Sequence, residues 1–282
     1  MKILTANIGM GLRDVDHLWK NMRGIAAYHG WGPFLIGILA RPLQGRWAGP
    51  PYWKKRTDYL RANENLDPTF EMIRRESPDV VILSEVVPEI HSPRIEERLK
   101  ELGFKTISYG LGAKYPDAHV TTYVAAKEAG EALPCSMPQL PYPACGGGIA
   151  GVRLVSGVSI IGLHAAVGVS KLWRSQVQAV ADIATQEQAR GNRVVITGDW
   201  NETEETIMKQ ASFAKLGLVS VNKEKVPTCP ISLPRFLQKS VDHIFVPADW
   251  SIKNFKATPF GSDHLALLAE ADMGIYSSAQ LH

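Results

Sequence analysis

The feature that most constrains the fold of this chain is a run of β-branched residues leading directly into two polar side chains. Val194–Thr197 contains four β-branched residues in succession, which is typical of a buried strand. Gly198 is expected to end the strand, because a glycine lets the backbone turn where a side chain would clash. Asp199 and Asn201 follow at the carboxyl end, the edge of an α/β sheet where ligands bind. An Asx turn that only caps the next helix is the alternative interpretation.

Polar residues with catalytic potential recur at the ends of other predicted strands. They are Asn7, Glu85, His164 and the adjacent pair Asp263 and His264, while Asp242 lies within a strand predicted over residues 241–246. Helices are predicted over residues 66–76, 93–102, 170–190 and 204–216 from their spacing of apolar residues and their terminal signals. Ser156-Gly157 predicts a hairpin between two strands. Because hairpins occur beside strand–helix units, we expect an α/β (α+β) fold of four layers, in which two packed mixed β-sheets are flanked by helices.

The composition indicates an intracellular globular protein. The 282 residues are 45% hydrophobic, enough for one large core, and no linker or repeat divides them, so a single domain over residues 1–282 is expected. The net charge of +3 does not by itself indicate nucleic acid. The cysteines are Cys135, Cys145 and Cys229, an odd number without a C-x-x-C pair. They are interpreted as thiols in a reducing compartment, with a Cys135–Cys145 disulfide as the alternative.

The amino-terminal sequence favours the same compartment. Met1-Lys2 leads straight into an apolar strand, without a separate signal peptide, and no apolar run is long enough to span a bilayer. A soluble cytoplasmic protein is the resulting expectation.

Residues 10–64 have the composition of a Trp/Arg-rich insertion. The segment holds four of the seven tryptophans, and His17 to Arg56 contains seven Lys or Arg residues without an Asp or Glu. Cations and aromatic rings suit the phosphates and bases of nucleic acid. The apolar stretch Pro33–Ala40 suits contact with an anionic lipid surface instead. A third interpretation is that the tryptophans only pack the insertion onto the domain.

Six short motifs, in their order along the chain, resemble the endonuclease/exonuclease/phosphatase superfamily, whose fold is that of deoxyribonuclease I and the apurinic-site endonucleases. The motifs are Thr5-Ala6-Asn7-Ile8, Val81-Ile82-Leu83-Ser84-Glu85, Gly162-Leu163-His164, Gly198-Asp199-Trp200-Asn201, Ser240-Val241-Asp242-His243-Ile244 and Ser262-Asp263-His264-Leu265. The chain departs from the family in three places. Ser84 replaces the usual glutamine, His243 replaces the usual aromatic residue, and the insertion lengthens the gap between Asn7 and Glu85.

The resemblance implies a metal-dependent phosphoesterase and a role for each candidate residue. Glu85 is the principal ligand of Mg²⁺, or alternatively Mn²⁺, helped by Asn7 and Asp263. The catalytic groups are Asp199 on the attacking water, Asn201 on the nucleophile or a phosphate oxygen, His264 held by Asp242, and His164 as a second imidazole on the phosphate. Three of these residues also have an ordinary structural interpretation: a solvated glutamate for Glu85, a hydrogen-bonded histidine at the core edge for His164, and a helix or turn cap for Asp263.

The partner is the least constrained expectation. Nucleic acid is favoured, with a phospholipid or an inositol phosphate as the alternative, and the substrate-binding residues are expected between His17 and Arg56. No protein partner follows from the sequence. The rival from another class is a catalytically inactive binding module on the same fold.

Overall fold

The computed structural model describes residues 1–9, 66–114, 119–139, 146–166, 170–229, 238–262 and 264–274. The expected insertion at 10–64 and Asp263 lie outside these ranges. The strands of the described chain are β1 (Lys2–Asn7), β2 (Val80–Val86), β3 (Thr106–Lys114), β4 (His119–Ala126), β5 (Gly130–Ala132), β6 (Gly148–Leu154), β7 (Val158–His164), β8 (Arg193–Asp199), β9 (Leu218–Ser220), β10 (Asp242–Pro247), β11 (Ser251–Pro259) and β12 (Leu265–Asp272). The helices are α1 (Leu66–Glu76), α2 (Pro88–Glu101), α3 (Lys171–Ala189), α4 (Glu204–Met208) and α5 (Ala211–Ala214).

The strands form two mixed sheets of six strands each. One sheet has the order β11-β12-β1-β2-β4-β3 and the other has the order β5-β6-β7-β8-β10-β9. At the centre of each sheet lies one parallel pair, β1 with β2 and β7 with β8, and the remaining described neighbours are antiparallel. The mixed sheets are therefore as predicted. In the two parallel pairs, the carboxyl ends of four strands lie where the sequence analysis expected polar residues.

Three apolar clusters define the layers. One lies between the sheets and includes Ile3, Ile160 and Ile244. A second joins the outer face of the first sheet to α1 and α2, and a third joins the outer face of the second sheet to α3. Because each sheet buries one face against the other sheet and one against helices, the fold is the predicted four-layer sandwich. Among the described helices, none has both the length and the apolar character needed to cross a membrane.

Several predicted elements need correction. Helix α2 begins at Pro88 and contains Pro93, which was expected to start it. The helix expected over residues 204–216 is two short helices, α4 and α5. Strand β11 was missed because it is a mostly exposed edge strand without the apolar alternation of a half-buried one.

Cys135 carries a free thiol, and burial raises its pKa to about 12. Its alternative disulfide partner, Cys145, lies outside the described residues.

Candidate active site

The candidate residues converge because successive side chains of a strand point to opposite faces. Val195 packs between the sheets, and Asp199, four residues further along β8, points to the same inner face. The same period of two places Asn7 on the inner face with Ile3 in β1, and His164 with Ile160 in β7. The inner faces of both sheets therefore contribute polar side chains to one end of the sandwich.

Asp199 is the centre of this cluster and is almost fully buried, at 2% exposure. Its Oδ2 accepts a hydrogen bond from Asn7 Nδ2 at 2.9 Å, across the two sheets, and its Oδ1 accepts the Asn201 backbone N–H at 2.8 Å. His164 Nε2 and His264 Nε2 lie 3.7 Å and 3.8 Å from the same Oδ2. One carboxylate is thus oriented by two donors and faced by two imidazoles.

Glu85 reaches the cluster through a β-bulge. The register of β2 against β4 shifts between Leu83 and Val86, and Glu85 has a φ of +56°, in the left-handed region. Regular alternation would place Glu85 with Leu83 on the outer, apolar face. The bulge redirects it, so that Glu85 Oε1 lies 3.6 Å from His164 Nε2. The sequence predicted a strand end at Ser84, and no local signal in it announces the bulge.

The backbone at the end of β8 and in the turn that follows is constrained as well. Gly198 does not end the strand, which continues to Asp199; its φ is +137°, and a Cβ there would lie 1.9 Å from the Leu163 carbonyl oxygen. The glycine is therefore required by the close approach of β7. The bond from the Asn201 N–H to Asp199 is the predicted Asx turn, but α4 begins later, with Thr203 as its N-cap, so the turn does not cap it. Asn201 Nδ2 donates to the Ala165 carbonyl oxygen at 2.9 Å.

His264 and Asp242 form the expected pair. His264 Nδ1 lies 2.8 Å from Asp242 Oδ2, and both side chains are buried. Burial opposes the charge on His264, but the carboxylates of Asp242 and Asp199 outweigh it, so the pKa of His264 lies well above its usual value. Burial likewise raises the pKa of Asp242, with the charge of His264 opposing the shift. The pair therefore holds a proton on the side that faces Asp199.

Ser262 is a supporting residue of the site that the sequence analysis did not assign. Its Oγ donates to the Asn7 carbonyl oxygen at 2.6 Å and accepts the His264 backbone N–H at 3.3 Å. These bonds fasten the segment before β12 to the end of β1. The only signal in the sequence is the position of Ser262 in the last motif.

His164 is held differently from His264. Its Nδ1 is buried without a hydrogen-bond partner among the described residues, and its Nε2 faces Glu85 and Asp199. Gly147 packs directly on the ring: a Cβ there would lie 2.6 Å from His164 Nδ1. The absence of a side chain at Gly147 therefore makes room for this imidazole. Among the described residues, packing against Gly147 rather than a hydrogen bond to Nδ1 holds the ring.

The donor set fits a divalent cation. The ligand atoms of Glu85, His164 and Asp199 lie within 4.8 Å of one another, and the same holds for Asp199, Asp242 and His264. Carboxylate oxygens are the ligands that Mg²⁺ and Mn²⁺ prefer. Asn7 Oδ1 accepts the Gly9 N–H at 3.0 Å while its amide nitrogen is bonded to Asp199, so Asn7 orients Asp199 in addition to its expected role as a ligand. Of the expected ligands, only Asp263 lies outside the described residues.

Comparison with solved structures identifies the fold. The chain is similar to an endonuclease/exonuclease/phosphatase from Beutenbergia cavernae DSM 12333, with a TM-score of 0.63, 17% identity, and coverage of 97% of this chain and 72% of that chain. An endonuclease/exonuclease/phosphatase family protein from Leptotrichia buccalis C-1013-b gives a TM-score of 0.62, 14% identity, and coverage of 97% and 100%. The human Nocturnin catalytic domain gives a TM-score of 0.60, 12% identity, and coverage of 96% and 93%.

These similarities confirm the resemblance at the level of the fold. No protein-family profile matches the sequence, and no curated protein matches it. At identities this low the shared property is the architecture alone. The chain thus has the endonuclease/exonuclease/phosphatase fold, and the chemistry of its site has to be argued from its own residues.

Proposed function

We propose that this chain is a metal-dependent phosphoesterase that hydrolyses phosphodiester bonds, with nucleic acid as its substrate. The observation that carries the proposal is the convergence of Glu85, His164, Asp199 and the His264–Asp242 pair at one end of the sandwich. These groups come from four strands and from the segment before a fifth. They supply a cation site, a water-handling carboxylate and an imidazolium within one small volume.

The charge of the site supports metal dependence. Within the described part of the chain, Asp199 and Asp242 have ion-pair partners only in histidine, with no Lys or Arg within 4 Å. A phosphodiester anion entering beside these carboxylates is repelled unless a cation is bound first. A bound Mg²⁺ or Mn²⁺ neutralises phosphate charge and polarises the phosphorus–oxygen bonds. Glu85 is the proposed principal ligand, with Asn7 and Asp263 as its helpers.

The remaining residues transfer the proton of the attacking water and stabilise the charge that develops on the phosphate. Asp199 orients the attacking water and accepts its proton, because its two oxygens are already fixed by Asn7 and Asn201. His264, kept cationic by Asp242, offers a charged N–H to the oxygen on which charge develops. His164, whose Nε2 lies 3.7 Å from the same Asp199 Oδ2, contacts the phosphate as a second imidazole. Asn201 holds the nucleophile or a phosphate oxygen through the amide hydrogen not used by Ala165.

Nucleic acid is proposed as substrate because of the segment between Gly9 and Leu66. This segment joins the end of β1, beside the site, to α1, and its seven cations between His17 and Arg56 can neutralise several phosphates. Solved structures similar to this chain include a 3′–5′ exonuclease from Neisseria meningitidis and ANGEL2, a 2′,3′-cyclic phosphatase. A phospholipid or inositol phosphate is the alternative substrate, since Pro33–Ala40 is apolar. A cytoplasmic location remains a prediction.

The first experiment separates an enzyme from an inactive binding module. Hydrolysis of bis(p-nitrophenyl) phosphate is measured with Mg²⁺, with Mn²⁺ and with EDTA, and then repeated with the Glu85→Gln variant. The proposal expects turnover that requires the metal and that is lost in the variant. Binding of oligonucleotides without metal-dependent cleavage of any phosphoester would identify a binding module instead.

The second experiment tests the substrate class. Single-stranded DNA, abasic duplex, RNA, sphingomyelin vesicles and inositol phosphates are compared at low and physiological salt. A nucleic-acid substrate predicts cleavage whose KM rises steeply with salt. Replacing Arg41, Arg46, Lys54, Lys55 and Arg56 by glutamine should weaken that dependence. A control replaces two other cations, Lys100 and Lys105, by glutamine; both are exposed at the opposite end of the sandwich. Preferential cleavage of a lipid or inositol phosphate would overturn the nucleic-acid assignment.

A further inference from the structure

The turn that presents Asp199 and Asn201 has a backbone that needs external support. We define the 199–202 turn as Asp199 to Glu202. Gly198, just before it, has a φ of +137°, and Asn201 within it has a φ of +53°. Left-handed conformations of residues other than glycine are costly and persist only where surrounding contacts hold them. The groups that hold this turn therefore influence where the Asp199 carboxylate points.

The first such group is an indole on helix α3. Trp173 is fully buried, and its Nε1 donates a hydrogen bond to the Trp200 carbonyl oxygen at 2.9 Å. That carbonyl belongs to the residue between Asp199 and Asn201. The position of the indole is fixed in turn by the start of α3, where Ser170 Oγ accepts the Trp173 N–H at 3.0 Å. The bond therefore links the first turn of α3 to the turn that carries the proposed catalytic groups.

The second group is the histidine that replaces the aromatic residue usual in the family. His243 Nε2 lies 3.0 Å from the Glu202 carbonyl oxygen. A carbonyl oxygen can only accept, so the ring nitrogen is the donor. The ring is buried and packs against Phe245, with centroids 5.5 Å apart. Trp173 and His243 thus donate to the carbonyls that flank Asn201 on either side.

We propose that Trp173 and His243 are positioning residues, whose ring N–H groups fix the 199–202 turn and thereby aim Asp199 and Asn201. Neither residue contacts the substrate, and the inference rests on the proposed phosphoesterase function. When either ring nitrogen is removed, its hydrogen bond is lost, and the carbonyl, buried at Trp200 and partly buried at Glu202, is left without this donor. A small displacement of a catalytic group lowers the rate of the chemical step more than it weakens substrate binding.

The kinetic test uses phenylalanine variants with a matched control. Trp173→Phe keeps an aromatic ring and removes the donor, and is expected to lower kcat about tenfold with KM changed less than about twofold. His243→Phe should lower kcat by about threefold, because it releases the carbonyl further along the chain from Asp199. The control is Trp250→Phe. Trp250 is also buried, but its Nε1 has no partner among the described residues, and it packs in the cluster between the sheets. Its kcat should stay at the wild-type value.

A second readout does not depend on catalysis. Amide hydrogen exchange of Asn201, whose N–H donates to Asp199, should accelerate in Trp173→Phe and stay unchanged in Trp250→Phe. A wild-type kcat and unchanged Asn201 exchange in Trp173→Phe, even with a lower melting temperature, would show a purely structural tryptophan and overturn the proposal. If the wild-type protein cleaves no phosphoester, the proposed function fails, and the exchange measurement still decides whether Trp173 holds the turn.

Discussion

Two buried carboxylates, Glu187 and Asp199, differ in the hydrogen-bond donors and countercharges that surround them. Glu187 on α3 accepts hydrogen bonds from Arg153 Nε and Nη2 at 2.8 and 2.7 Å, and also from Ser159, Asn192 and Arg190. The bond to Arg153 outweighs the effect of burial and lowers the pKa of Glu187 to about 2. Asp199 is as deeply buried, yet its donors are one neutral amide and one backbone N–H.

The difference concerns where the countercharge comes from. A buried ion is tolerated when opposite charge and hydrogen bonds compensate it. For Glu187 the chain provides two arginines, and the carboxylate ties β6, β7 and α3 together. For Asp199 the chain provides only histidines within the described residues, although Glu85 and Asp242 are close by. A structural carboxylate is thus neutralised internally, whereas the site leaves room for a cation from solution.

The largest expected effect is on catalysis at the site carboxylate. Asp199→Asn should lower kcat/KM about a thousandfold, because an amide neither accepts the proton of water nor compensates a cation. In either orientation the new side-chain NH₂ faces a group that is itself a donor, Asn7 Nδ2 or the Asn201 backbone N–H. Rates on bis(p-nitrophenyl) phosphate, with a thermal melt as the folding control, measure the effect. A rate within tenfold of wild type would remove Asp199 from the centre of the mechanism.

The second prediction concerns the pair beside Asp199. Asp242→Asn keeps an acceptor for His264 Nδ1 but removes the charge that most raises the pKa of His264 against burial. Activity should fall about a hundredfold. The cationic form of His264 is lost as the pH rises through its raised pKa, so removing Asp242 should move the alkaline limb of kcat/KM to lower pH. Profiles from acid to alkaline pH measure this, and an unshifted alkaline limb would mean that His264 does not act as a cation.

The third prediction concerns Glu187, where a substitution should change stability and not activity. Glu187→Gln should lower the free energy of unfolding by about 2 kcal/mol and leave kcat and KM unchanged. Because the pKa of Glu187 is lowered from 4.5 to about 2, its stabilisation is complete above pH 4.5 and is lost as the pH falls towards 2. Urea unfolding of the wild-type protein and of Glu187→Gln measures this at neutral and at acid pH. The difference between their free energies of unfolding should be smaller at acid pH. An equal difference at both values would mean that packing, not charge, is lost.

Part of this arrangement was predictable because local rules decide it. The helix over residues 66–76 was predicted with the bounds that α1 has, from Asp67-Pro68 at its start and Ser77-Pro78 at its end. The helix predicted from residue 170 does start there, with Ser170 as the N-cap whose side chain accepts the Trp173 N–H. The buried strand at Val194–Thr197 was evident from its β-branched residues. Each of these features depends on neighbours only a few residues away.

The geometry of the site was not predictable in the same way. Asn7 and Asp199 meet across two sheets although 192 positions separate them. Glu85 reaches His164 only through a bulge whose left-handed backbone is set by pairing with β4. Glu187 was placed within a predicted helix, but its arginine partner lies 34 positions earlier, on β6. The motifs therefore indicated the candidate residues, while tertiary packing decided which of them touch.

The smallest expected effect is the change in melting temperature caused by Mg²⁺. It tests most directly whether the cation binds at the cluster around Asp199 and not at Glu187. A ligand that binds only the folded state stabilises it by about 1.4 kcal/mol at ten times its dissociation constant, or about 3 °C for a chain of this size. Mg²⁺ should therefore raise the melting temperature of the wild-type protein and, by the same amount, that of Glu187→Gln, whose site is intact. Glu85→Gln should lose most of the increase, because it removes the proposed principal ligand without touching the Arg153 network. Calcium-free buffer with EDTA gives the baseline for all three proteins. An equal Mg²⁺ shift in all three would place the ion elsewhere on the surface, and a shift lost only in Glu187→Gln would reverse the assignment of the two carboxylates.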